Sequence, residues 1–109
     1  MNPLCFCDDI PENSARGFEI NDNSLFVVHY QKQFFVYLNR CPHMGVELNW
    51  SPDQFLTVDS NLIQCSTHGA LFLIENGECV YGPCNGQSLQ ALDFQIVDKQ
   101  IHVADITKK

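Results

Sequence analysis

Two stretches, RCPHMGVEL (residues 40–48) and QCSTHGALF (residues 64–72), decide how this chain is interpreted. Each contains a cysteine, a histidine and a glycine that follows the histidine within two residues. The ligand-type side chains are Cys41, His43, Cys65 and His68, in the pattern C-x-H, 21 residues, C-x-x-H. Thiolates and imidazoles are both strong ligands of transition metals. The pattern therefore predicts one metal centre held by two loops that the fold brings face to face.

The sequence outside these loops consists of short β-type runs between turn residues, and no long segment keeps a helical period. SLFVVHY (24–30) and FFVYLN (34–39) predict a hairpin around the polar QKQ. NLIQC (61–65) predicts a short strand that leads into the second cysteine. The segment SPDQF (51–55) has the composition of a single helical turn.

Two further hairpins follow. ALFLIENGECVY (70–81) places Asn76-Gly77 between two apolar arms, which is a strong hairpin signal. ALDFQIV (91–97) and QIHVA (100–104) predict a closing hairpin about Asp98-Lys99.

These elements predict a single all-β domain over residues 1–109, with stacked antiparallel sheets or a flattened barrel. Residues 1–40 and 87–109 are expected to form a β base. Residues 41–86, which hold most of the Gly, Pro, Cys and His, are expected to form a loop-rich metal-binding subdomain. Trp50 and Phe55 are predicted to pack this insertion onto the base.

Composition narrows the possible partners and location. Thirteen Asp and Glu oppose six Lys and Arg, for a net charge of -7, which argues against nucleic acid or an anionic membrane. No run approaches the roughly 20 apolar residues of a membrane helix. The N-terminus lacks the pattern of a signal peptide. We therefore expect a cytoplasmic protein whose six cysteines serve metal or redox roles more than structural disulfides.

Two kinds of metal centre compete for the four ligands. Zinc is chemically allowed, but structural zinc sites of this composition usually pair Cys with Cys and His with His. Here each loop offers one of each, which suits a [2Fe–2S] cluster with both thiolates on one iron and both imidazoles on the other. In these motifs, and in a Gly82-Pro83 turn like the family's proline loop, the chain resembles the Rieske family over nearly its whole length.

The resemblance implies an antiparallel β-sandwich of three sheets with a cluster-binding subdomain. It implies one [2Fe–2S] cluster, with Cys41 and Cys65 on the inner iron and His43 and His68 on the outer iron. A zinc-binding structural module is the alternative, and a colourless protein without an EPR signal after reduction would favour it.

The resemblance also predicts a low reduction potential. High-potential respiratory members carry a disulfide at positions that match Val46 and Thr67 here. They also carry hydroxyl side chains where this chain has Ala70 and Phe72. Losing those two hydrogen-bond donors removes stabilisation of the reduced, more negative cluster. We expect a potential near the bottom of the family's range of about -150 to +300 mV.

The expected function is electron transfer rather than catalysis. The sequence offers no credible facial triad for O₂ chemistry, no dinucleotide fingerprint and no catalytic domain after the last strand. The chain is thus expected to be a soluble one-electron carrier between a flavin-dependent reductase and a terminal oxygenase, with no small-molecule substrate of its own. The alternative is a small Rieske subunit of a larger redox enzyme, resembling the nitrite reductase small subunit.

Six other Cys and His residues are not assigned to the cluster. His29 and His102 fall within apolar strand patterns and are predicted to be ordinary strand residues. Four cysteines are predicted to be small packed thiols: Cys5, Cys7, Cys79 and Cys84. Cys84 follows Gly82-Pro83, so its thiol is expected to lie near the cluster and to be sensitive to oxidation.

Overall fold

The computed structural model describes residues 2–20, 22–40, 48, 55–57, 61–65, 69–82 and 86–104. Over these residues the chain forms nine strands and a short 3-10 turn at Cys7–Asp9. The strands are β1 (Asn2–Phe6), β2 (Ser14–Ile20), β3 (Asn23–Tyr30), β4 (Gln33–Leu38), β5 (Leu62–Gln64), β6 (Leu71–Leu73), β7 (Cys79–Tyr81), β8 (Phe94–Val97) and β9 (Gln100–Val103). No helix within this described part of the chain is long and apolar enough to cross a membrane.

The strands form three antiparallel sheets of three strands each, which confirms the predicted three-sheet, all-β fold. The terminal sheet has the order β1-β9-β8, the central sheet β2-β3-β4, and the loop sheet β5-β6-β7. The loop sheet lies within residues 41–86, whereas the other two sheets lie outside that range.

The central sheet is covered on both faces. Alternate residues of β3 point to opposite sides: Phe26 and Val28 join a core shared with the loop sheet, while Leu25 and Val27 join a core shared with the terminal sheet. All four side chains are fully buried. A strand buried on both faces needs apolar residues at consecutive positions, which explains the unbroken LFVV run.

Two of the predicted hairpins have tight turns. Gln31 and Lys32 join β3 to β4, and Asp98 and Lys99 join β8 to β9, and all four residues have positive φ. Two consecutive positive φ values are what a type I′ turn requires, and that turn matches the twist of the paired strands. Both predicted hairpins are therefore confirmed.

The predicted hairpin around Asn76-Gly77 is also present, but its turn is longer than two residues. The N–H of Leu73 donates to the Glu78 carbonyl at 2.9 Å, and the N–H of Gly77 donates to the Leu73 carbonyl at 2.8 Å. Gly77 has a φ of +75°, and a Cβ at this position would lie 2.9 Å from the Tyr37 ring. Glycine is thus required here both by the backbone conformation and by close packing.

Two strands were not predicted. β1 pairs with β9, so that Asn2 lies opposite Val103, and β2 pairs with β3 along its whole length. The short strand predicted at 61–65 is confirmed as β5.

The loop sheet and the central sheet share one core. Phe55 is 1% exposed and stacks on Phe26 of β3, with ring centroids 4.4 Å apart and planes inclined by 10°. This contact confirms that Phe55 packs the insertion onto the base. Trp50 and the rest of the helical turn predicted at 51–55 lie outside the described residues. We propose that the predicted base and insertion are two parts of one domain, because this core joins them.

Candidate metal centre

The second loop, residues 65–70, joins β5 to β6 and is closed at its base by the main chain. The N–H of Cys65 donates to the Ala70 carbonyl at 2.9 Å, and the N–H of Gly69 donates to the Cys65 carbonyl at 2.8 Å. Cys65 and Ala70 are both fully buried. These two main-chain bonds hold the Cys65 backbone in position.

Gly69 allows the second loop to turn back into β6. Its φ is +69°, and no atom lies within 4 Å of the place that a Cβ would occupy. The backbone conformation therefore favours glycine here, while the surrounding space would admit a side chain. The preceding residue, His68, lies outside the described residues.

The first loop, residues 39–48, begins directly after β4 and is closed by a side chain. The Asn39 Oδ1 accepts a hydrogen bond of 2.8 Å from the N–H of Leu48. Its Nδ2 donates to the Ser24 Oγ at 3.1 Å. Cys41 and His43 lie between Asn39 and Leu48, outside the described residues.

Gly82 follows β7 and packs directly on the base of the second loop. Its φ is +105°, and a Cβ there would lie 2.8 Å from the Ala70 Cα and 3.1 Å from the Ala70 Cβ. No side chain fits into so short a distance from a backbone atom. The glycine that was predicted to begin the proline loop therefore contacts the second loop, while Pro83 itself lies outside the described residues.

The bases of the two loops meet in one buried cluster. Leu48 from the first loop and Cys65 and Ala70 from the second belong to the core between the central sheet and the loop sheet, and each is fully buried. Of the four predicted ligands, the structure thus describes Cys65 alone and places it in the same core as Leu48, at the end of the first loop. Ligation by Cys41, His43 and His68 stays a prediction.

The described residues fit a [2Fe–2S] cluster. A completely buried cysteine on a backbone-closed turn is suited to hold an iron away from water. Main-chain amides of such a turn can point at a negatively charged sulfur. Ala70 and Phe72 are fully buried beside Cys65, so these two positions bring no hydroxyl group into the site.

The remaining described histidines lie in strands, as predicted. His29 on β3 stacks on Phe34, with centroids 4.2 Å apart, and its Nδ1 hydrogen-bonds the Ile10 carbonyl at 2.8 Å. His102 lies on β9 and is half-buried. Within the described ranges, no group of three or more His, Cys, Asp or Glu side chains converges to form another metal site.

The described cysteines outside the loops are packed, as predicted. Cys5 is buried in the core beside the terminal sheet, and burial, together with the nearby charges of Asp9 and Cys7, raises its pKa to about 11. Cys7 is half-buried against the same core. Cys79 is buried, and its Sγ donates to the Tyr81 carbonyl at 3.4 Å. Cys84 lies outside the described residues.

One residue of the site was missed by the sequence analysis. Asn39 was assigned to the end of a strand, whereas its side chain closes the first loop. The available signal was an asparagine, a residue that favours local side-chain-to-backbone hydrogen bonds, at the point where an apolar strand meets a ligand motif.

Known proteins are similar to this chain in sequence. The model of the Rieske [2Fe-2S] domain family matches residues 1–103. The ferredoxin component of the alkene monooxygenase system of Xanthobacter autotrophicus Py2 is 29% identical over 82 residues, which cover 75% of this chain and 63% of that protein. The chain thus spans slightly less than two thirds of that relative's length.

Solved structures share the fold at low sequence identity. The ferredoxin of carbazole 1,9a-dioxygenase from Nocardioides aromaticivorans IC177 is 21% identical, with a TM-score of 0.75 over 95% of this chain and 98% of the ferredoxin. The terminal oxygenase of carbazole 1,9a-dioxygenase from Novosphingobium sp. KA1 is 17% identical, with a TM-score of 0.79 over 98% of this chain and 30% of the oxygenase chain. Because the family model matches almost the whole length of this chain, the chain belongs to the Rieske [2Fe-2S] domain family.

Proposed function

We propose that this protein is a one-electron carrier with one [2Fe–2S] cluster that takes electrons from a flavin-dependent reductase and passes them to a terminal oxygenase. The match of the Rieske family model to residues 1–103 carries the proposal. The similarity to the ferredoxin component of an alkene monooxygenase system supports the role of carrier. So does the similarity in fold to a dioxygenase ferredoxin over nearly the full length of both chains.

Four residues are proposed to hold the cluster. Cys41 and Cys65 would bind one iron through thiolates, and His43 and His68 the other through imidazoles. When bound, the cluster supplies the reversible transfer of one electron. The chain's own contribution is to bury Cys65, to hold its backbone by main-chain hydrogen bonds to Ala70 and Gly69, and to leave positions 70 and 72 without hydroxyl donors. The last feature supports a low potential.

The surface suits docking to another redox protein. The net charge of -7 favours a partner with a basic face, because opposite charges speed the encounter of the two proteins. Tyr81 is 65% exposed and lies opposite Leu71, the residue after the second loop. Val80 beside it is 42% exposed. We propose that this apolar edge, Val80 and Tyr81, contacts the partner protein. We also propose that the protein works in the cytoplasm and that its acidic surface excludes nucleic acid and membranes as partners.

Metal analysis and redox titration of the purified chain test the proposal. We expect iron and acid-labile sulfide in equal amounts, about two of each per chain, and an EPR signal that appears on reduction. Electron transfer from a flavin-dependent reductase is expected to slow as salt is added, because salt screens the attraction between charged surfaces. A colourless protein that contains zinc would contradict the proposal. Purification only as part of a stable heteromeric complex would favour the alternative of an enzyme subunit.

A further inference from the structure

We infer that Asn39 is the positioning residue of the first loop. Its side-chain amide holds the two ends of the loop together, and this sets the geometry in which Cys41 and His43 reach the cluster. The inference rests on the proposed function, since the shape of the loop matters for electron transfer only if these two residues bind iron.

The first step of the argument is the closure of the loop. Asn39 Oδ1 and the N–H of Leu48 are 2.8 Å apart, although the two residues are nine positions apart in the chain. Cys41 and His43 both lie between them. One hydrogen bond therefore spans the segment that carries half of the proposed ligands.

The second step is the attachment of Asn39 to the central sheet. Its Nδ2 donates to the Ser24 Oγ at 3.1 Å, and its main-chain N–H donates to the Ser24 carbonyl at 2.9 Å. The residue that precedes it, Leu38, lies opposite Leu25 in the pairing of β3 with β4. Asn39 thus extends the sheet by one residue, and its amide is anchored to β3 through Ser24.

The third step is burial. Asn39 is 6% exposed and is the buried polar residue of the described part of the chain, and Leu48 is fully buried. A main-chain N–H in such a place needs a hydrogen-bond partner, because water cannot replace the one that is lost. Loss of the Asn39 acceptor is therefore expected to move Leu48 and open the base of the loop.

The site needs an acceptor for the N–H of Leu48 and a donor to the Ser24 Oγ. Asparagine provides both, since its amide accepts through Oδ1 and donates through Nδ2. Three substitutions separate these roles. Asn39→Leu keeps a similar volume and removes both bonds. Asn39→Asp keeps an acceptor for Leu48, and its carboxylate can accept from the Ser24 hydroxyl. Ser24→Ala removes the side-chain anchor and leaves the bond to Leu48 in place.

Tyr37→Phe is the matched control. It also removes one buried hydrogen bond from a side chain to the main chain, in which the Tyr37 hydroxyl donates to the Ile74 carbonyl. Tyr37 belongs to the same core as Leu48, but this bond touches neither of the two loops. A general loss of stability would therefore affect Tyr37→Phe and Asn39→Leu alike.

The experiment compares the wild-type chain and the four variants in three measurements: the rate of iron loss to a chelator, the EPR spectrum and potential of the reduced protein, and hydrogen exchange of the Leu48 amide. For Asn39→Leu we expect iron loss about 10-fold faster, the low end of the effect of groups that orient metal ligands. We also expect a changed EPR line shape and Leu48 exchange about 10-fold faster. Asn39→Asp is expected to restore the wild-type line shape, and Ser24→Ala to give a smaller effect.

The outcomes distinguish the inference from the proposed function. A wild-type chain that takes up no cluster would overturn both. A wild-type chain with a cluster, and an Asn39→Leu variant with the same EPR spectrum, potential and iron loss, would overturn the inference alone. Equal changes in Asn39→Leu and Tyr37→Phe would also overturn it, because the effect would then follow general stability. If Asn39→Leu does not fold, Asn39→Asp provides the test. An Asn39→Asp variant whose Leu48 amide exchanges rapidly but whose EPR spectrum is that of the wild type would contradict the inference.

Discussion

The two loops of the candidate centre are closed in different ways. In the second loop, main-chain bonds join Cys65 to Ala70 and Gly69 to Cys65. In the first loop, the side chain of Asn39 bonds to the main chain of Leu48. Main-chain closure depends little on which side chains are present, whereas closure by a side chain depends on one particular residue. In the first loop, therefore, one substitution at Asn39 removes the closing bond itself.

The difference follows from what each loop connects. The second loop joins two paired strands, so the hydrogen bonds of a hairpin reach across its base. The first loop leaves β4 and ends at Leu48, which belongs to no strand. Without a strand partner to supply the ladder, a side chain that can both accept and donate is needed to bring the ends together.

The largest expected effect is at the proposed ligand of the second loop. Cys65→Ser is expected to abolish cluster binding, because a neutral hydroxyl is a far weaker ligand for iron than a thiolate. Iron and sulfide analysis of the purified variant measures this. Cys79→Ser is the matched control, since Cys79 is a second buried cysteine of the same core and its hydroxyl substitute can still donate to Tyr81. Equal iron content in the two variants would show that Cys65 is no ligand.

The next effect concerns the contact that supports the second loop. Gly82→Ala would place a Cβ 2.8 Å from the Ala70 Cα at a φ of +105°. We expect it to lower the free energy of unfolding by about 2–4 kcal/mol, from backbone strain and overpacking together. Gly86→Ala separates the two causes, because Gly86 has a φ of +95° and open space around it. Denaturant unfolding is expected to show a loss of only about 1–2 kcal/mol for Gly86→Ala. Equal losses would mean that the contact with Ala70 contributes nothing.

A smaller effect is expected from adding a side-chain donor to the second loop. Ala70→Ser introduces a hydroxyl beside Cys65, which would stabilise the reduced cluster and raise the potential. The wild-type potential is expected near the bottom of the range, at about -150 mV, by redox titration. A wild-type value above about +100 mV would contradict the low potential predicted from Ala70 and Phe72.

The smallest effect is expected at Tyr37, whose ionisation changes the stability of the fold at alkaline pH. Burial, and then the charge of Glu75, raise the pKa of Tyr37 from 10.0 to about 12. The folded state therefore favours the neutral phenol, so this contribution to stability is complete below pH 10 and is lost as the pH rises toward 12. Tyr37→Phe is expected to remove this alkaline step and to cost about 1 kcal/mol at neutral pH through the lost hydrogen bond to Ile74.

Unfolding followed against pH measures the alkaline step. Cys5 also has a raised pKa, about 11 against 9.0, in the core on the opposite face of the central sheet. The comparison is therefore made in a Cys5→Ala background, where the thiol does not titrate. An unchanged alkaline step in Tyr37→Phe would rule out Tyr37 as its origin. Leu48 amide exchange is expected to stay at the wild-type rate in this variant, because the first loop does not depend on Tyr37.

The sequence was informative where structure is local. Type I′ turns need only two consecutive residues of positive φ, and the arms of both tight hairpins are adjacent in the chain, so both could be predicted. The apolar run in β3 predicted a strand of that hairpin, and the structure places the strand at Asn23–Tyr30. The ligand motifs were recognisable because cysteine and histidine at fixed spacing carry metal chemistry with them.

Features that depend on distant partners could not be predicted. β1 contains Pro3 and is only five residues long, and its partner β9 lies about a hundred residues away. β2 alternates weakly, because Arg16 and Gly17 interrupt its apolar positions. Asn39 looked like the last residue of a strand, since nothing in the local sequence shows that the N–H of Leu48 will need an acceptor.

The pairing of β1 with β9 has a consequence for biosynthesis. The terminal sheet cannot form until Gln100–Val103 has left the ribosome, because β9 is the strand between β1 and β8. Both ligand loops precede β9 in the chain and have emerged by then. All four proposed ligands are therefore synthesised before the strand on which the terminal sheet depends, so the ligand loops precede the completion of the fold.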